Sequence, residues 1–424
     1  MSLSAIDQQH IWHPYTQHQT CGPLPVLVKG KGIYLWDENE KKYIDGISSW
    51  WCNPFGHANE DLASAMFQQA STLEHVLFGG FTHKPAIELV EKLLPLLPSN
   101  QKKIFFSDNG STAVEVALKA ALQFFHNQGI KKNKIIAFED AFHGDTFGAM
   151  ASSGIGLFTE AFKESLLQVI RIPVPVKGQE DKAFSALKVA LEDEGVAAFI
   201  FEPLCQGAAG MIMYEAPILD QFIDVCQKAG VLTIADEVMT GFWKTGRCFA
   251  SDYLTHKPDI ICLSKALTGG TLPMAITTFT QAIFDGFLSS DPGIALLHGH
   301  TFTANPTACA VAKKALELLE NPEMQQGIDF IHQKHLVFKE KWKHDLRVEN
   351  IRVLGVILAF DMVRPDKEAY YGNFRNQLYA FFIENGLLLR PIGNTIYILP
   401  PFIINDEELN KVYSLLEEAI DKFS

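Results

Sequence analysis

Long apolar runs are missing from this chain: no uninterrupted stretch reaches the roughly 20 residues that a membrane-spanning helix needs. The first residues, MSLSAIDQQHIWH, have neither a basic start nor an apolar core. They are not read as a signal peptide, and the expectation is a soluble, cytoplasmic protein. Positive charge is in deficit. The 36 Lys and Arg residues face 49 Asp and Glu, a formal net charge of −13, which argues against nucleic acid or an anionic membrane as partner. Cysteine is sparse and scattered. Cys21, Cys52, Cys205, Cys226, Cys248, Cys262 and Cys309 form no C-x-x-C and no metal-ligand spacing, so neither a disulfide framework nor a zinc site organises the fold. Internal repeats and low-complexity segments are also missing.

What is present is enough for two cores. The 424 residues exceed what one hydrophobic core usually spans, and 47% are apolar. The stretch from Val231 to Gly270 organises the rest. It contains two apolar, β-branched runs, VLTIAD and DIICLSK, ending in Asp236 and Lys265. In an open α/β sheet, ligands gather outside the carboxyl ends of the strands. Neighbouring strands would therefore deliver one carboxylate and one amine to the same edge. Apolar residues on both sides of Lys265 would desolvate its amine and make it a nucleophile toward carbonyls. Pyridoxal phosphate needs that pair, a lysine for the Schiff base and an acid for the ring nitrogen. Either residue alone reads more plainly as a surface lysine or a helix-capping aspartate. On two buried strand ends, the cofactor reading is the better one.

Around this stretch, strands alternate with helices over residues 100–280, the pattern of a doubly wound, mostly parallel sheet. KKIFFSD reads as a strand that runs into Asn109–Gly110–Ser111–Thr112 and then a helix with Val114, Leu118, Leu122 and Phe125 on one face. Strand, small polar turn, helix is a geometry that offers N–H groups to a phosphate, although Ser and Thr cap helices everywhere. KIIAFED closes on AFHGDTFGAM, where Phe142, His143 and Asp145 crowd a loop behind a strand. His143 by itself reads as a structural hydrogen bonder. AAFIFEPLCQGAAG ends another strand on Glu202. In LLHGHTFTANP, His298 and His300 lack further ligands at a spacing that would hold a metal.

Upstream, IWHPY sets Tyr15 in a segment with little regular signal, and GIYLWDENEKKYIDG reads as a hairpin. SSWWCNPFGH places Trp50 beside Trp51, where core packing and a ligand-pocket wall are equally good readings. Past Asn321–Pro322 the pattern becomes a long helix, a strand VLGVILAF, a helix around Leu378 to Glu384, and paired strands LLLRP and TIYILPP. The expected division is a large domain over 49–320 and a smaller α+β domain over 321–424. Residues 1–48 pack with the smaller one, because a hairpin has too little core to stand alone. Arg390 sits among apolar residues of that layer, where an unpaired guanidinium is costly. A structural ion pair or a substrate carboxylate is expected beside it.

Taken together, IADEVMTGF, LSKALTGG, HPYT, DGISSWW, HVLFGGFTHKPAIEL and FHGDTFGAM resemble one family over nearly the whole chain, the class III subgroup of fold-type I pyridoxal-phosphate aminotransferases. The resemblance implies a homodimer with shared active sites and assigns roles one position at a time. Lys265 would carry the cofactor and shuttle the proton, and Asp236 would pair with the pyridinium nitrogen. Gly110 and Ser111 would bind the phosphate, joined by the partner subunit's Thr301. Phe142 would stack on the ring, and Glu202 would line the cofactor site. Tyr15, Trp50 and Asp145, with Gly299 and His300, would shape the substrate pocket, and Arg390 would take a substrate carboxylate. No metal is implied. Three places depart from the family pattern: Phe142 where tyrosine is usual, His300 where proline is common, and Trp243–Lys244 where Gly-Arg is usual.

Within the family, the same stretches are similar to members that make 7,8-diaminononanoate for biotin. They imply a ping-pong reaction in which S-adenosylmethionine gives its amino group to the cofactor, which then aminates the ketone of 8-amino-7-oxononanoate. Lysine as donor, or a broad ω-amino-acid aminotransferase, is the nearest rival, because such relatives also carry H-G-H. An aminomutase, needing no external donor, is a more distant one. A non-enzymatic binding protein on the same scaffold does not suit a chain with both Lys265 and Asp236.

Overall fold

A computed structural model describes residues 2–364 and 372–424. Its central sheet has seven strands, in the order Gln101–Ser107, Ala275–Thr280, Ile260–Leu263, Leu232–Asp236, Val196–Phe201, Lys134–Phe138, Val169–Ile172. All neighbours pair in parallel except at Ala275–Thr280, which is antiparallel to the strand on each side. The fold-type I expectation of a doubly wound, mostly parallel sheet is met. Such sheets are covered on both faces and read as continuous apolar runs. Val196–Phe201 is accordingly buried at every position.

Side chains on successive residues of a strand face opposite ways, and the two faces here differ in size. Ala198 and Ile200 join Ile234 and Ile260 under the helix Gly110–Asn127, which presents Ala113, Ala117, Ala120 and Ala121. Those alanines let the helix lie close to the sheet. Phe199 and Phe201 face the other way, toward Phe138, Leu219 and Phe222, on the side of the helices Glu180–Leu191 and Ala216–Lys228. The parallel register sets Asp236 opposite Cys262. Asp236 and Lys265 therefore leave the sheet at one edge.

A second layer follows. Val348–Leu354, Ile357–Met362 and Thr395–Ile398 form an antiparallel sheet beside the helices Pro322–Trp342 and Asp406–Phe423. Two expectations are corrected here. VLGVILAF is a hairpin rather than one strand. It turns at Gly355, whose φ is +56° and where a Cβ would stand 2.3 Å from the Gly246 nitrogen. LLLRP and TIYILPP do not pair as strands. Leu387–Leu388 pairs in parallel with Lys42–Asp45, and Thr395–Ile398 pairs with Ile357–Met362, leaving one bridge between Ile392 and Thr395. Pro391 has no N–H to give a ladder, and the distant partner strand offers two pairs instead. No helix among the described residues is long and apolar enough to cross a membrane.

Candidate active site

A cavity of about 750 Å³ opens where the central strands end. Lys265 sits in its wall at the start of the turn Lys265–Thr268, with φ +50°, a conformation that costs a non-glycine residue about 1–2 kcal/mol. Backbone strain of this kind clusters at functional sites. The amine lies 4.5 Å from the centroid of the Trp51 ring. Burial lowers its pKa, and the nearby Asp236 and Glu202 carboxylates raise it in part. An amine so placed is more readily found as a free nucleophile than an exposed lysine.

Asp236 is held from two directions. His143 donates from Nδ1 to Oδ2 at 2.7 Å, and the Val238 amide donates to Oδ1 at 3.1 Å. The other imidazole nitrogen of His143 is buried with no partner among the described residues. Glu202 is buried beside this pair and fixes the loop around it, accepting from the amides of Phe142 at 3.0 Å and Gly207 at 2.9 Å. Burial pushes its carboxyl up to about 7. Ser111 fastens the same loop from the other side, its Oγ accepting from the amides of Asp145 and Thr146, each at 3.0 Å. Gly144 makes that approach possible, since a Cβ there would come within 2.2 Å of the Ser111 hydroxyl.

The opposite side of the cavity is aromatic. Asp45, buried beneath the double tryptophan, accepts from Ser49 N at 2.6 Å and from the His57 ring at 2.8 Å, and Ser48 Oγ donates to Leu399 O at 2.8 Å. The backbone there is left-handed at Ser48, Ser49 and Trp51, so adjacent tryptophans both reach the cavity. Trp51 is buried and donates to the Tyr397 hydroxyl at 3.3 Å. Trp50 is 42% exposed, and the Arg390 guanidinium carbon lies 4.7 Å from its ring centroid. Among the described residues no carboxylate pairs with Arg390, so the structural ion pair is not formed there. Tyr15 donates its hydroxyl to Asp145.

Of the residues singled out from the sequence, the cavity brings together Tyr15, Trp50, Gly110, Ser111, Phe142, Asp145, Glu202, Asp236, Lys265 and Arg390. Gly299, His300 and Thr301 are not in its wall. Gly299 and Thr301 are exposed on their loop, and His300 Nδ1 stands 3.0 Å from Asp108 Oδ2 without the alignment of a hydrogen bond. Sequence reasoning missed Trp51 as the ring nearest Lys265, His143 as the partner of Asp236, and Phe158, which enters the cavity from a separate segment. The W-W pair and the F-H-G-D loop carried a signal for the first two. Phe158 carried none.

The arrangement can hold a pyridine-based cofactor: a reactive amine, a carboxylate positioned by an imidazole, and a helix N-terminus at Gly110 share one cavity. The description Aminotransferase class-III matches residues 15–420. The chain belongs to the class III aminotransferase family. As a class III aminotransferase it is a pyridoxal-phosphate enzyme. It is 43% identical to the adenosylmethionine-8-amino-7-oxononanoate aminotransferase of Synechococcus elongatus, over 97% of this chain and 99% of that one. It is 36% identical to the enzyme of the same name from Helicobacter pylori, over 99% and 98%. Among solved structures, the same-named aminotransferase of Methanocaldococcus jannaschii is 34% identical, with a TM-score of 0.93 and 99% and 98% of the two chains covered. An omega transaminase from Pseudomonas jessenii in complex with PMP is 30% identical, with the same TM-score and coverage.

Proposed function

We propose that this class III aminotransferase moves the amino group of S-adenosylmethionine to 8-amino-7-oxononanoate, giving 7,8-diaminononanoate for biotin. Full-length relatives carrying that activity in their names support it. The observation that carries the acceptor is Arg390, a half-buried guanidinium with no carboxylate partner among the described residues, lying on Trp50 in the cavity that holds Lys265. A carboxylate-ended substrate satisfies it with a charge-assisted, bidentate contact.

Once bound, the cofactor supplies the electron sink for the transfer. The chain supplies the rest. Lys265 would hold the cofactor and move the proton on and off the reacting carbon. Asp236, oriented by His143, would keep the ring nitrogen protonated. Gly110 and Ser111 would take the phosphate at their helix start, Phe142 would face the ring, and Glu202 secures the loop that carries Phe142. Tyr15, Trp50 and Asp145 shape the substrate side.

The enzyme acts as a homodimer in the cytoplasm. On one loop Leu297 is 74% exposed, Phe302 is 59% exposed, and Thr301 stands outside this chain's own cavity. That arrangement suits burial against a second copy, with Gly299, His300 and Thr301 completing the site across the interface. The division into 1–48, 49–320 and 321–424 serves the same end: the large domain holds the cofactor and the smaller one brings Arg390.

Asp145 gives lysine, as donor, a foothold, a carboxylate for the distant ammonium, and His300 makes its own loop more polar than the proline form. A donor panel decides. S-adenosylmethionine should bleach the yellow absorbance of the holoenzyme, 8-amino-7-oxononanoate should restore it, and lysine should leave it unchanged. Faster bleaching by lysine would move the assignment to the lysine-donor reaction.

A further inference from the structure

Phe158 reaches the cavity from a segment that otherwise stays outside the core. The turn Gly156–Thr159 buries none of its residues, and Leu157 next to it is 59% exposed. Phe158 nevertheless meets two rings among the described residues. It stands edge-on to Phe142 at 5.8 Å and 71°, and to Tyr15 at 5.6 Å and 69°. Tyr15 in turn meets Trp50 at 5.8 Å and 62°. Phe142, Phe158, Tyr15 and Trp50 thus make one continuous aromatic wall, and all four line the cavity. Among the described residues, charge meets this wall at its margins, where Tyr15 donates to Asp145 and Arg390 rests on Trp50. Tyr15 itself has φ +53°, outside any helix or strand, so its ring depends on neighbours to hold it.

We propose that Phe158 is a specificity-determining residue for the amino donor, closing a wall on which an adenosyl sulfonium is preferred to an aliphatic ammonium. This rests on the donor assigned above. A sulfonium carries its charge with no N–H to satisfy, so it can lie on ring faces without giving up hydrogen bonds, and its adenine can stack beside it. An ammonium brings three donors and strong hydration. Among the described residues, the carboxylate next to the four rings is Asp145, which already accepts from Tyr15.

The test is calorimetric titration of the enzyme in its pyridoxamine-phosphate form, which cannot accept another amino group. The probes are S-adenosylmethionine and its thioether analogue S-adenosylhomocysteine, which lacks the sulfonium charge. Phe158→Leu is expected to weaken the first by about tenfold and the second clearly less, while Phe158→Tyr stays within about threefold of the parent for both. In the leucine variant the KM for 8-amino-7-oxononanoate should move less than the affinity for S-adenosylmethionine. A leucine variant that binds S-adenosylmethionine like the parent overturns the proposal. So does an equal loss for both probes that tyrosine fails to restore, since that is a packing effect. A parent enzyme that neither binds S-adenosylmethionine nor takes its amino group overturns the donor assignment, and this proposal with it.

Discussion

The imidazole of His143 and the carboxylate of Asp236 lie 2.7 Å apart, with side chains 0% and 5% exposed. An acid fixed this way presents one orientation to a ring nitrogen. Asp236→Asn keeps the shape and removes the charge. It is expected to lose about 2.7–4 kcal/mol of transition-state stabilisation, the cost of removing one pre-organised electrostatic partner. His143→Asn should lose less, because the carboxylate remains and only its orientation loosens. Single-turnover rates at matched cofactor content check both. Near-normal turnover in Asp236→Asn would show that the acid is structural.

Lys265 should be the residue that bears the cofactor. The purified protein is expected to be yellow, and borohydride should fix the pyridoxyl group in the peptide ICLSKALTGG. Lys244 provides an internal control, since it is a second buried amine only 1% exposed. Label on Lys244, or a colourless protein after incubation with pyridoxal phosphate, sinks the assignment.

Arg390→Ala should weaken the acceptor and spare the cofactor. Loss of a charge-assisted hydrogen-bonded contact is worth about 1.5–3 kcal/mol, or roughly 10- to 150-fold in KM for 8-amino-7-oxononanoate. Reaction with S-adenosylmethionine and retention of cofactor should change much less. Equal damage to both half-reactions and to cofactor binding would mean that the guanidinium holds the two layers together.

Lys244 sets a pH dependence of stability. Burial, with the Lys265 amine nearby, pushes its ammonium down from 10.5 to about 7. The neighbouring Glu237 carboxylate is already engaged by Thr240, Ala250 and Ser251, and among the described residues Lys244 donates only to Gly241 O at 3.2 Å. Between those two values the unfolded chain binds the proton that the folded chain releases, so this group's contribution to stability rises with pH across that window. Lys244→Met is therefore expected to stabilise most below about pH 7 and to lose its advantage near pH 10.5. Urea unfolding of parent and variant at several pH values measures the gap. A gap that does not change with pH would show that the amine keeps its proton in the folded protein.

Much of the site was legible because it lies at strand ends. The runs closing on Asp236, Lys265 and Glu202 are apolar and bounded by loop residues, and sheet topology brings such ends to one edge. Contacts across long sequence separations were not legible. His143 and Asp236 are 93 positions apart, and nothing local in FHGD says which acid its ring will meet. Trp51 was harder still. Its φ of +64° turns the chain so that the buried tryptophan, rather than the exposed one, covers Lys265. The strand Leu387–Leu388 was assigned to its near neighbour because its true partner, Lys42–Asp45, lies at the far end of the sequence.

That last pairing also bears on how the enzyme is made. The loop carrying both tryptophans comes from the first part of the chain, yet it leans on Leu399 through Ser48 and on Tyr397 through Trp51. Synthesis runs from the N-terminus, and domains generally fold as they emerge. The seven strands of the central sheet, and Lys265 with them, are thus synthesised before Tyr397 and Leu399, the residues that brace the tryptophan loop. Nascent chains stalled ahead of Leu387 should capture pyridoxal phosphate without discriminating among amino donors, and selectivity should appear only with the final stretch of polypeptide.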